Sequence, residues 1–264
     1  MFISVLSALL ASLLYLLAGR LIWKKIQGST DLNIRPNVIK LALMATLVHA
    51  FALSTTLWGV NNVIHFNMGN GLSLVALLGS AILLVTCINK NTEILGIFVY
   101  PLAALTVLLP LFMNSFTPLP FTLGVHVLIS IAAYSIMGIA TAQAILYGRQ
   151  EYLFRKKKLS RLMKALPPLQ VMENTLIQLV IIGFIFLSFA LLSGAFFIED
   201  LFAQHLIHKT FLAILSWLVY GAFLFGHFKY GWRGRKAARY TIWAYFLLVL
   251  SFIGTSMILS TLGY

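Results

Sequence analysis

No Asp, Glu, Lys or Arg occurs in residues 1–19, 41–89, 94–148, 174–198, 210–228 or 240–264. A helix needs about 20 apolar residues to cross a hydrocarbon core roughly 30 Å thick, so each block is long enough to span a bilayer and two of them can span it twice. The apolar runs are continuous. A membrane barrel would alternate polar and apolar residues with period two, which leaves helices as the spanning element. Over the whole chain 61% of residues are hydrophobic and 9% are charged. That is too little charge to cover a soluble domain of this length, which argues against a soluble enzyme or a soluble nucleic-acid binder. The single cysteine, Cys87, permits neither an intramolecular disulfide nor an all-cysteine metal site.

Polar breaks divide the blocks. Asn61-Asn62 and Asn67-Met68-Gly69-Asn70-Gly71 interrupt the second block, and Asn114-Ser115-Phe116-Thr117-Pro118-Leu119-Pro120 the third. The expected spans are 2–19, 39–60, 71–89, 94–113, 122–148, 174–198, 206–227 and 240–260. The fold expected is therefore all-α: one integral membrane domain over 1–264 with eight transmembrane helices. The loops after spans one, three, five and seven hold 18 of the 19 basic residues, and Lys209 alone falls on the other side. The positive-inside rule then places both termini outside. It also accounts for the net charge of +13 without a nucleic-acid partner: the basic loops face anionic lipid. Arg155-Lys156-Lys157-Lys158 opens a loop that reads as a short interfacial helix, with Leu159, Leu162, Met163 and Leu166 toward lipid. The amino terminus lacks a basic residue ahead of its apolar run, so it reads as a retained span rather than a signal peptide. No nucleotide-binding or zinc-protease motif is present, and no nucleophile, base and orienter sit at a recognisable separation, so an independent enzyme is not expected.

Ionisable residues at depth are the informative ones in such a chain. Carboxylates are nearly absent from the spans, which weakens a proton- or cation-relay reading. Six histidines remain: His49 halfway along span two, His65 in the following turn, His126 opening span five, His205 and His208 opening span seven, and His227 closing it. Neutral imidazole ligates haem iron, zinc or copper. A metal cage of His65, His126, His205 and His208 lacks cysteine co-ligands, whereas haem asks only for one or two histidines, an apolar slot and a cation for a propionate. His126 and His208 are the candidate iron ligands, with His205 as the fallback. Lys209 is the propionate partner, Trp217 is part of the apolar wall, and His49 is a candidate for a second, embedded site. Trp58, Asn62 and His65 would share a face if span two stayed helical to residue 65. Ser130, Ala133, Met137 and Gly138 form a small-residue strip below His126 that admits either a neighbouring helix or a cofactor edge.

Trp217-Leu218-Val219-Tyr220-Gly221, then Gly231-Trp232-Arg233-Gly234-Arg235 and Ala237-Ala238, with Gly124-Val125-His126-Val127 and Ala133-Tyr134-Ser135 upstream, resemble the cytochrome c assembly family of CcsA, CcmC and CcmF. The resemblance covers roughly 40–260 and is greatest to its YpjD-type branch of bacterial inner-membrane proteins. It implies a multi-pass inner-membrane protein that handles haem in cytochrome c-type biogenesis, with His126 as the first external ligand. His49 corresponds to a membrane histidine of an early span. The family's other membrane histidine falls at Phe225, two residues before His227. The chain departs from the family's WGxxWxWDPKET segment: residues 196–209 contain no tryptophan, and only Lys209 keeps its spacing to Trp217. The second external histidine is also missing, since the chain ends Ser260-Thr261-Leu262-Gly263-Tyr264. Three readings follow: a haem-binding accessory of cytochrome complex assembly, working with haem and another membrane or assembly protein; a membrane scaffold or regulator with structural histidines; or a transport or ion-homeostasis factor that keeps the fold.

Overall fold

The structure is a computed structural model. It describes residues 2–28, 34–57, 65–89, 92–113, 117–118, 121–157, 166–197 and 204–261; for 65–66, 88–89, 117–118, 121–122, 197, 204–209 and 253–261 the description is of the backbone. Eight α-helices run through these residues: α1 Phe2–Gln27, α2 Arg35–Leu57, α3 Met68–Asn89, α4 Gly96–Thr106, α5 Phe121–Arg155, α6 Leu169–Phe197, α7 Gln204–Tyr230 and α8 Arg235–Thr261. Single 3₁₀ turns, Glu93–Leu95 and Leu109–Leu111, flank α4. Among the described residues seven helical segments are long and apolar enough to cross a membrane. The chain is thus an all-α polytopic membrane protein with seven to eight long apolar helices.

Two local expectations are corrected. His65–Phe66 (β1) pairs antiparallel with Thr117–Pro118 (β2), in the register His65 to Pro118 and Phe66 to Thr117. His65 therefore does not continue the helix of span two, and no helical face joins it to Trp58 and Asn62, which lie outside the described residues. The helices also overrun the uncharged blocks. The first ends at Gln27 and the fifth at Arg155, because Lys, Arg and Gln propagate a helix well and can reach the headgroups from its end. Most of the expected interfacial helix, residues 158–165, lies outside the described residues.

The chain forms two compact units, residues 1–120 with 150–168, and residues 121–149 with 169–264. The first is built on small residues. Ala8, Ala11 and Ala18 of α1, Ala42, Ala45 and Ala52 of α2, and Ala103 and Ala104 of α4 are buried, while Leu6, Leu9, Leu10, Leu13 and Leu16 point outward. That inverts a soluble core and suits helices whose backbones approach closely beneath a lipid-facing surface. The Ser12 hydroxyl donates to the Ala104 carbonyl at 2.9 Å. Lys25 Nζ meets the buried Glu93 carboxylate at 2.7 Å.

In the second unit α5, α6 and α7 run antiparallel in succession. Met137 of α5 lies against Gly183 of α6, and Gln143 Nε2 donates to the Met172 carbonyl at 2.9 Å. Gly138 faces the Tyr245 hydroxyl of α8. The strip below His126 thus receives neighbouring helices. The hairpin α7–α8 is closed by Ser216 Oγ donating to the Ala244 carbonyl at 2.7 Å and by buried Tyr220 and Phe223.

Candidate functional site

His126 lies in the second turn of α5, where α6 ends and α7 begins. Its Nδ1 is 2.9 Å from Ser193 Oγ, and its ring lies over Gly194. Ser193 also donates its hydroxyl proton to the Ala190 carbonyl at 3.0 Å. A hydroxyl has one proton, so when that proton goes to the Ala190 carbonyl the oxygen can accept from His126 Nδ1–H. Ligating histidines are commonly oriented by such a bond from their other ring nitrogen. Glycine at 194 matters here: a Cβ would stand 3.1 Å from His126 Cε1.

The start of α7 carries His205, His208 and Lys209 at the same end of this unit. Their side chains lie outside the described residues. Trp217 is deeper. Its indole Nε1–H donates to Ser188 Oγ at 2.9 Å, and its ring stacks on Phe184, centroid to centroid 5.4 Å. Ser188 and Phe184 are on a different face of α6 from Ser193 and Gly194. At about 100° per residue the two faces are roughly 150° apart. His126 and Trp217 therefore each pack on α6, from separate sides.

His49 is fully buried in the first unit. Its Nδ1 is 3.3 Å from Tyr15 Oη and its Nε2 is 2.8 Å from Ser73 Oγ. Tyr15 also reaches Thr46 Oγ1 at 3.4 Å, and Thr46 meets Ser80 Oγ at 2.8 Å. Helices α1, α2 and α3 are joined through this chain of hydroxyls. Both ring nitrogens of His49 already have partners, so coordination would have to displace one. Replacing His49 by leucine removes the imidazole partner of Ser73 and leaves Tyr15 its longer contact with Thr46, with an expected loss of about 1–3 kcal/mol. Thermal unfolding in detergent reads the loss. An accompanying halving of the haem-to-protein ratio would instead make His49 a ligand.

His227 Nδ1–H donates to the Trp232 carbonyl at 2.8 Å. Among the described residues no group of three or more His, Cys, Asp or Glu is placed to hold a metal ion. Sequence reasoning missed Ser193, Ser188, Tyr15 and Ser73. Their one signal was a polar atom inside an apolar span, which must find a partner in the absence of water.

The model of the family described as cytochrome c assembly protein matches residues 5–262. The inner membrane protein YpjD of Escherichia coli K12 is 29% identical over 225 residues, 82% of this chain and 84% of that protein. The cytochrome c biogenesis protein CcsA of Prochlorococcus marinus strain SARG is 28% identical over 89 residues, 33% of this chain and 28% of its own. That of strain NATL1A is 31% identical over 78 residues, 29% and 25% of the two chains. No solved structure matches. The match along nearly the whole chain, on an all-helical membrane fold, makes this protein a member of the cytochrome c assembly protein family.

Proposed function

We propose that this multi-pass inner-membrane protein binds haem in cytochrome c biogenesis, at the end of its second unit where α5 and α7 begin. The carrying observation is the Ser193 hydroxyl at His126 Nδ1, a bond of the kind that orients ligating histidines from their other ring nitrogen. His208 is the best available second ligand and His205 its fallback. Lys209 is the propionate partner, an ion pair strengthened where water is partly excluded. The residue types fit haem: imidazole, a lysine in the first turns of α7 and apolar helix walls. Bound haem would supply an iron centre that is carried or presented rather than used for catalysis. The residues of this chain orient and hold it. Trp217, held against Ser188 and Phe184 on another face of α6, is not brought to His126. The biogenesis role is supported by the name of the CcsA relatives. Haem added to the purified protein is expected to give a Soret band.

The second reading, a scaffold or regulator of another membrane protein, is favoured by His49, whose hydrogen bonds serve helix packing. A colourless protein that co-purifies stoichiometrically with a partner would support it over haem binding. The topology belongs to the same proposal: eight crossings with both termini outside. Reporter fusions after residues 30, 160 and 235 are expected to give cytoplasmic signals, and a periplasmic signal from any of them contradicts that orientation.

A further inference from the structure

The turn joining α7 to α8 is strongly cationic and rigidly built, and haem binding at the opposite end of these helices leaves it without a role. Lys229, Arg233, Arg235, Lys236 and Arg239 are all exposed within 11 residues. Residues 201–264 contain no Asp or Glu, so neither helix of the hairpin supplies a carboxylate to neutralise them. Glu173, near the start of α6, is the acid of this unit at that end. Anionic groups outside the hairpin would lower the self-repulsion of this cluster.

The backbone holds the turn in one shape. Gly231 and Gly234 have φ of +67° and +63°, values that glycine adopts without strain. Gly231 N–H donates to the His227 carbonyl at 3.0 Å, and Trp232 N–H to the Gly226 carbonyl at 3.1 Å. The Trp232 ring lies flat on Gly226, and its carbonyl accepts from His227. Lys236 Nζ sits 4.8 Å from the Trp232 ring centroid, while Lys229 Nζ sits 5.3 Å from Phe225 and 5.6 Å from Tyr230. These contacts keep ammonium groups along the helix ends rather than splayed into water.

Aromatic residues set the depth. Phe225, Phe228 and Tyr230 are 59%, 71% and 62% exposed on the last turns of α7. An exposed tyrosine such as Tyr230, next to cations at a helix end, marks the headgroup level of a bilayer, and Phe225 and Phe228 continue the apolar surface below it. The turn therefore meets phosphodiesters, not bulk solvent.

We propose that the α7–α8 turn is a headgroup site for anionic phospholipid, held by Arg233, Arg235 and Lys236 over the Trp232 platform. Arginine forks take phosphate oxygens in pairs, and Lys236 adds a point charge beside them. Zwitterionic lipid carries its own cation and gains less. The site is separate from haem binding and stands whether or not haem is bound.

The test measures retention of phosphatidylglycerol by the full chain in detergent, by native mass spectrometry, against phosphatidylcholine and against inorganic phosphate. Wild type is expected to retain phosphatidylglycerol preferentially. The combined exchange Arg233→Gln, Arg235→Gln and Lys236→Gln is expected to weaken it by on the order of 100-fold. The combination Lys40→Gln, Lys156→Gln and Lys157→Gln removes as many cations from the first unit and is expected to weaken retention far less than the hairpin variant does. Should the triple hairpin variant fail to fold, Arg233→Gln and Lys236→Gln singly are each expected to cost about fivefold. Equal retention of phosphatidylcholine, full competition by inorganic phosphate at matched concentration, or equal losses in the hairpin and control variants would overturn the proposal.

Discussion

Alanine at Gly226 or at Gly96 is expected to destabilise the protein by about 1–3 kcal/mol, the cost of forcing added volume into a packed interface. At Gly226 the new methyl would overlap the Trp232 ring, with Cζ3 only 2.7 Å away and two other ring atoms nearer still. The ring cannot swing aside freely, because the Trp232 carbonyl is tied to His227 and its amide to the Gly226 carbonyl. Relief has to come from opening the α7–α8 turn. At Gly96 the methyl would fall 2.7 Å from Tyr100 Cδ2, closer still to its Cε2, and 2.8 Å from Ile22 Cδ1. Tyr100 is stacked on Tyr15 at 5.8 Å, and Tyr15 holds His49. The disturbance would therefore reach the hydroxyl chain that joins α1, α2 and α3. Gly79 and Gly148 have nothing within 4 Å of an added Cβ. Alanine there is expected to be neutral, or to stabilise the helix by up to about 1 kcal/mol. Thermal unfolding of the four variants in one detergent checks the contrast, and equal melting of all four would contradict it.

The helices were legible because a membrane admits few alternatives. An uncharged run such as residues 174–198 cannot leave its backbone groups unpaired in hydrocarbon, and α6 covers nearly all of it. The ends were less legible. Arg20, Lys24 and Lys25 mark where the hydrocarbon stops, not where the helix does, and α1 continues through all three. The β1–β2 ladder was not legible, since two residues carry no periodicity. Within the site, His126 announced itself as an imidazole at a helix start. Ser193 did not, because it is 67 residues away and meets His126 only through the packing of α5 on α6. Trp217 stood out because a belt residue does not belong in mid-span, but its anchor, Ser188, is again on another helix. Pairings of this kind depend on which faces of two helices meet, and single-sequence periodicity does not determine that.

Loss of His126 is expected to have the largest functional effect. Alanine there removes the ligand atom itself, and the protein is expected to lose the haem spectrum. Alanine at Ser193 leaves the ligand but frees the ring and its tautomer, which is expected to weaken haem affinity by about 10- to 100-fold while some spectrum remains. The two variants differ in kind, and the difference separates ligation from packing. Alanine at His65, whose backbone is held in the β1–β2 ladder, is expected to change the spectrum little. The most direct measurement is a haem titration of folded, detergent-purified His126→Ala protein, followed by absorbance beside wild type. Wild type is expected to show a Soret band and the variant none, or one strongly shifted and reduced; a band of unchanged position and amplitude in the variant, or no band in wild type, would rule out haem ligation by His126.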